Sequence, residues 1–235
     1  MLAPEEQEVL WLSLRIAFWS VLVSLPFAIA VAYLLARASF PGKTLFDAAV
    51  HLPLVLPPVV VGFFLLILFG RRGPLGEILD SWFGIVLAFR WTGAALAAGI
   101  MGFPLMVRAI RLSFETIDRK LEAAASTLGA GRAGVFVTIT LPLALPGIIT
   151  GVLLSFARSL GEFGATITFV SNIPGETRTL PLAIYTYTQT PAGDAAALRL
   201  SAIAVLLSLA ALYVSEVLVR RAARRVAGQD AFGRH

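Results

Sequence analysis

The amino-acid sequence predicts an all-α polytopic membrane protein of about five transmembrane helices, and three observations carry that prediction. Apolar residues make up 58% of the chain, and the mean hydropathy is +0.85. Charged residues make up 14%, well below the roughly 25% usual for soluble domains. Uncharged stretches also reach the length a bilayer demands, since a helix crossing ~30 Å of hydrocarbon needs about 20 residues at about 1.5 Å each.

The spans follow in order. Residues 16–36 carry no charge between Arg15 and Arg37, and residues 48–70 none between Asp47 and Arg71. Residues 91–107 lie between Arg90 and Arg108, and the apolar run 84–89 before them is expected to join that span. Residues 133–157 lie between Arg132 and Arg158; residues 200–215 lie between Arg199 and Glu216 and run on to Val219. The stretch 164–170 would make a sixth span, but six would place the arginine-rich tail outside. The N-terminus is acidic where a secretory signal is basic, so no cleavable signal is expected.

Orientation follows the basic residues of short loops. With five spans, Arg37, Lys43, Arg108, Arg111, Arg119, Lys120, Arg132 and the tail arginines 220, 221, 224, 225 and 234 share one side, which is therefore cytoplasmic. The expected organisation is an outer (periplasmic) segment 1–8, a transmembrane domain 9–219 and a basic inner tail 220–235. The localisation is then a cell inner membrane, with the N-terminus outside and lipid as the surrounding partner. The net charge of +5 reflects this inner-side excess, so no nucleic-acid partner is expected. With no cysteine and only His51 and His235 as histidines, neither a metal centre nor catalytic residues are expected, and an intramembrane enzyme lacks its parts.

Residues 109–142 form a semi-polar insert between two spans. Ile110, Phe114, Ile117, Leu121, Ala125 and Leu128 recur at helical spacing and predict one face. Asp118 can cap a helix starting at Arg119, and Gly129 stands where a helix ends, with Ala130 and Gly131 following. Val135, Phe136 and Ile139 predict a second short face that Pro142 breaks. Such a pair of helices could lie on lipid, pack beneath its own bundle, or dock into a groove on a soluble partner.

Here the residues resemble a family. Glu122-Ala123-Ala124, then Gly129, nine residues, Ile139, one residue, Leu141 and Pro142 are similar to the cytoplasmic signature of ABC importer permeases. The front half departs by one position: Glu122 lies seven residues before Gly129, and the family's glutamate position is Ala123. Segments 51–62, 70–79, 103–111 and 156–191 look like the permease subunit of molybdate importers, with sulfate permeases as near neighbours. Tungstate is a tetrahedral dianion of nearly the same size as molybdate. The resemblance implies that the insert is a coupling helix inserted into a cleft on a separate ATPase. It also implies a homodimer, two such ATP-binding cassette subunits and an extracytoplasmic molybdate-binding protein. ATP and magnesium would sit on the ATPase, with no cofactor on this chain. The sequence P-G-K-T at 41–44 is no phosphate loop, because Arg37 stands where the first glycine must be.

Other residues keep two readings each. Pro53, Pro57 and Pro58 interrupt an apolar run, as a packing kink or as a break lining a pathway. Arg158 and Glu162 are one helical turn apart, as a bracing ion pair or as a contact to the anion. With Phe163, Gly164, Thr166 and Thr168 they make up a candidate gate, the two hydroxyls offering neutral hydrogen bonds. Gly147 and Gly151 form a close-packing face, within the chain or against a second copy. Residues 171–185 are a connecting loop or a docking site for the binding protein, with Glu176 and Arg178 expected at its exposed rim. A self-contained secondary transporter is the rival class; no internal repeat supports it.

Overall fold

The computed structural model describes residues 3–232, with side-chain surroundings for 3–214 and 216–221. Among these the chain is helical, without strands. The elements are α1 (Pro4–Arg37), α2 (Lys43–Val55), α3 (Pro58–Phe69), α4 (Pro74–Phe83), α5 (Trp91–Thr116) and α6 (Arg119–Thr127). Then follow α7 (Arg132–Val135), a π-helical turn (Phe136–Thr140), α8 (Leu141–Leu143), α9 (Leu145–Leu160), α10 (Gly164–Val170), α11 (Leu180–Thr188) and α12 (Asp194–Phe232).

Three of the described helices are long and apolar enough to cross a membrane: α1, α5, and α12 as far as Arg221. Two bent pairs raise the number to five if each counts as one crossing. The predicted span 48–70 is α2 and α3, which meet at 111° across Leu56 and Pro57. Proline at 57 and 58 removes two backbone donors in succession, so the helix cannot run through. Pro53, by contrast, is absorbed inside α2.

Three boundaries differ from expectation. Residues 84–89 do not join the third span, because Gly84 ends α4 at φ 63° and Phe89 also takes a positive φ of 62°. Helix α5 therefore begins at Trp91. The fourth span begins at Leu145, and the helical stretch 132–143 meets it at 66°. The expected break at Pro142 falls instead at Ala144. The stretch 164–170 is the seven-residue α10, ~10 Å long, so it does not cross.

The bundle is organised around α1, α5 and α9. Lipid gives helices no hydrophobic reason to associate, so close van der Waals approach and buried polar links must hold them. The α5–α9 seam shows the first device. A methyl added at Gly147 would stand 2.3 Å from Ser113 Cβ, and one at Gly102 2.3 Å from Ser155 Oγ. A methyl at Gly151 would stand 3.0 Å from the Met106 carbonyl oxygen, less tightly but still under normal contact. The glycine pair thus packs within the chain. The second device is the buried link of Ser20 Oγ and Ser159 Oγ at 3.0 Å, which joins α1 to α9.

Two apolar clusters lie along this core. Leu12, Ile16, Val61, Leu65, Met101 and Phe169 fill one end. Val21, Leu35, Met106, Ile110, Phe114 and Ile148 fill the other. At the first pole Glu6, 1% exposed, accepts hydrogen bonds from the Ala3 N–H at 2.8 Å and from Arg199 Nη2 at 2.8 Å, tying α1 to α12. At the second pole Arg111 bridges Asp47 at 2.8 Å and Glu115 at 2.7 Å, tying α2 to α5.

Candidate functional site

The insert folds as a foot at the Arg37 pole. Asp118 Oδ1 accepts the Lys120 N–H at 2.9 Å, so the predicted cap starts α6. The helix closes at Gly129, φ +89°, where the Gly129 N–H reaches the Ser126 carbonyl at 3.1 Å and the Ala130 N–H the Ala125 carbonyl at 3.2 Å. This paired closure satisfies carbonyls that a helix end otherwise leaves open.

The predicted continuous face is interrupted. Ile110, Phe114 and Ile117 are buried at the end of α5, but Leu121 is 46% and Leu128 89% exposed. Extended backbone at Ile117 (ψ 124°) and Asp118 (ψ 121°) resets the helical phase between them. The side of α6 turned to the bundle carries Glu122 and Ala125, while Ala123, Ala124, Leu128 and Gly129 face outward.

Glu122 is the centre of the foot's attachment. Its Oε1 accepts from Arg37 Nη2 at 3.1 Å and from Thr140 Oγ1 at 2.8 Å. The Arg37 and Glu122 side chains are 12% and 20% exposed, and Thr140 is buried. Arg37 Nη2 also reaches the Ile117 carbonyl at 3.4 Å. One turn back on α1, the Tyr33 ring meets Phe136 at 5.0 Å and Phe114 at 5.5 Å, both edge-to-face.

The second half of the foot is α7, the π-helical turn and α8. The Leu141 N–H bonds the Phe136 carbonyl five residues back. A proline crowds the carbonyl four residues before it. The wider turn immediately ahead of Pro142 takes up that crowding, and the helix continues. Val135 is buried; Phe136, Ile139 and Leu141 are half-buried; Gly131 and Pro142 are exposed.

The candidate gate residues converge where α3 and α10 begin. A methyl at Gly164 would lie 2.8 Å from Pro58 Cβ, and one at Gly62 2.5 Å from the Ala165 carbonyl oxygen. The broken end after Pro57 thus abuts the start of α10. Glu162, 2% exposed, accepts the Ala165 N–H at 2.8 Å. Arg158 Nη1 lies 2.7 Å from Glu162 Oε2, close enough for charge pairing though off the hydrogen-bond direction. The Phe163 ring packs on Tyr185 at 5.3 Å. The hydroxyls are placed less openly than expected: Thr166 is buried, and Thr168 Oγ1 donates to the Gly164 carbonyl at 2.9 Å.

The segment 171–185 is an ordered turn leading into α11. Glu176 and Arg178 are half-buried and not at an exposed rim. Glu176 Oε1 accepts the Trp91 N–H at 3.4 Å, and Arg178 Nε donates to Asn172 Oδ1 at 3.0 Å. His51 Nδ1 donates to the Asp47 carbonyl at 2.9 Å. Sequence reasoning missed Tyr33, Arg37 and Thr140 as parts of the site. Arg37 is 85 residues from Glu122, and no local pattern pairs them.

With this geometry established, comparison with known proteins places the chain. The family described as binding-protein-dependent transport system inner membrane component matches residues 24–227. The chain belongs to that family. This inner membrane component is 64% identical over 217 residues to the molybdenum transport system permease protein ModB of Escherichia coli K12, covering 92% of this chain and 94% of that one. It is 57% identical to ModB of Haemophilus influenzae over 92% and 94% of the two chains. The sulfate transport system permease protein CysW of Synechococcus elongatus is 38% identical, over 93% of this chain and 76% of that one. Among solved structures, a bacterial alginate ABC transporter bound to its periplasmic protein superposes with a TM-score of 0.73 at 17% identity, over 93% of this chain and 80% of that one. The MetNI methionine ABC transporter superposes at 0.66 and 14%, over 92% and 94%. The fold is that of type I ABC importer permeases, and this component is a multi-pass inner-membrane subunit of a transport system.

Proposed function

We propose that this chain is the membrane-spanning subunit of an ATP-driven importer of molybdate, working by alternating access. The observation that carries the substrate is 64% identity to a molybdenum permease along nearly the whole chain, against 38% to a sulfate permease. Two copies enclose the pathway, because one chain with at most five crossings among the described residues is thin for enclosing a channel. A binding protein delivers the anion at the Glu6 pole, which faces outward, and the foot and α12 end on the cytoplasmic side. Two ATPase subunits hold ATP and magnesium; this chain holds neither.

The outward residues Ala123, Ala124, Leu128 and Gly129 present a small apolar knob to an ATPase cleft. Half-buried Glu122, Phe136, Ile139 and Leu141, with buried Val135, hold that knob to the bundle. Closure of the ATPases on nucleotide draws the two feet together and re-tilts the helices behind them. The meeting of α3 and α10, with Pro57, Pro58, Arg158 and Glu162, is the region that opens and shuts. Arg158 is engaged by Glu162 at 2.7 Å, so it braces the helix and does not offer a free charge. That suits a transit path, where a deep well for a dianion would slow release. The two states must differ in affinity for nucleotide and binding protein, or ATP would drive nothing.

Vesicle uptake by the assembled complex tests this reading. Labelled molybdate should enter only with ATP and binding protein, and tungstate should compete where equal sulfate does not. Equal competition by sulfate would assign the chain to sulfate instead; uptake by this chain alone, without ATPase subunits, would make it a secondary transporter.

A further inference from the structure

We propose that Arg37 is a positioning residue for the coupling foot, and that its pairing with Glu122 makes α1 the member that carries the foot's displacement to the opposite pole. The proposal rests on the reading that the foot docks on an ATPase subunit.

The foot has two covalent attachments, and both are bent. Extended residues Ile117 and Asp118 separate it from α5, and the 66° bend at Ala144 separates it from α9. A load entering at α6 can pivot at either joint. The attachment to α1 is of another kind. One carboxylate oxygen of Glu122 joins Arg37, at the last residue of α1, to Thr140 of the π-helical turn. Both halves of the foot are therefore held by one group. Low exposure of the pair limits solvent screening, and charge-assisted bonds are the stronger kind. Tyr33, four residues back, is wedged against Phe136 and Phe114.

Helix α1 then runs 34 residues, about 51 Å, as one helix that absorbs Pro26 near its middle. Its far end is fastened as firmly. Ser13 Oγ accepts the Leu180 N–H at 2.7 Å, holding the first residue of α11, and Glu6 takes Arg199 of α12 through two nitrogens, at 2.8 and 3.2 Å. A rod clamped at both ends links the ATPase side to the elements around the 171–179 turn. Linkage is reciprocal, so a binding protein docking there must act back on the foot through the same rod.

The test is a double-mutant cycle in the complete complex, reconstituted with binding protein and molybdate. Arg37→Gln is read against its own basal rate, as the ratio of ATP hydrolysis with loaded binding protein to hydrolysis without it. It should lower the stimulation by loaded binding protein at least about fivefold, with a matching fall in anion imported per ATP. Glu122→Gln should lower stimulation similarly, and the double variant should be no worse than either single one. Arg37→Lys, which keeps the charge, should retain about half of the stimulation. Undiminished stimulation in Arg37→Gln, or losses that add in the double variant, would overturn the proposal. The chain has no cysteine, so Leu128→Cys gives a single cross-linking site on the foot. A cross-link to the ATPase with normal stimulation in Arg37→Gln defeats this proposal alone. Absence of the cross-link in the otherwise unaltered chain defeats the docking reading, and this proposal with it. Loss of the cross-link on adding Arg37→Gln also overturns it, because the pair would then merely hold the foot together.

Discussion

Replacing Gly62 by alanine tests the contact at which α3 meets α10. The added methyl would stand 2.5 Å from the Ala165 carbonyl oxygen, 2.9 Å from Ala165 Cα and 2.9 Å from Thr168 Cβ. Normal contact begins near 3.4 Å, so the three obstacles require a separation of about half an ångström to one ångström. Two of the three atoms are backbone, and Thr168 is itself fixed by its bond to the Gly164 carbonyl, so no side chain can swing away. Overpacking of this kind costs about 1–3 kcal/mol. For a chain of this length each kcal/mol lowers the melting midpoint by about 2–4 °C, giving an expected drop of about 2–12 °C. Thermal unfolding of the detergent-purified chain measures it, with Gly134→Ala as control. Gly134 has nothing within 4 Å of an added methyl, so that change should be neutral or stabilising, by up to about 1 kcal/mol. A Gly62→Ala midpoint equal to wild type would refute the reasoning, because it would mean that α3 and α10 are not in backbone contact.

Three further outcomes are expected. Glu6→Gln weakens the charge-assisted link to Arg199 and should cost about 1.5–3 kcal/mol, read as a lower melting midpoint that Arg199→Gln does not lower further. Leu128→Asp changes a side chain 89% exposed, so the isolated chain should keep its stability within about 0.5 kcal/mol. Retention of the ATPase subunits on a tagged chain should nevertheless fall at least about tenfold, which corresponds to ~1.4 kcal/mol of docking energy. Gly129→Ala forces a methyl-bearing residue to φ +89° at a cost of about 1–2 kcal/mol, and should reduce stimulated ATP hydrolysis while leaving membrane insertion intact.

What could be read from the sequence was whatever local chemistry decides. Asp118 caps and Gly129 terminates for reasons contained in a few neighbouring residues, and both stand where the sequence places them. Charge-free length located the long apolar helices, but it cannot see backbone direction. Residues 84–89 are apolar enough to extend a span, yet two positive φ values keep them out of the helix. Likewise, Gly147 and Gly151 announce a close approach without naming their partner, which is Ser113 and Met106 of α5. Periodicity puts Phe136 on a short apolar face without naming what covers it; its ring belongs to a trio with Tyr33 and Phe114, so Leu128 is the cleaner probe of docking. Glu122 stands one residue out of the expected register, and its partners, Arg37 and Thr140, are 85 and 18 positions away. Periodicity carries no information at that range.

The way α6 ends has a consequence for repeated work. Because Gly129 and Ala130 already supply donors to the Ser126 and Ala125 carbonyls, a protein docked there as proposed would owe those two groups nothing when it departs. Engagement can therefore rest on shape and apolar area alone. Each release would then re-wet a leucine and some alanines without stranding either of those oxygens, which would let the two proteins part and meet again on every turnover.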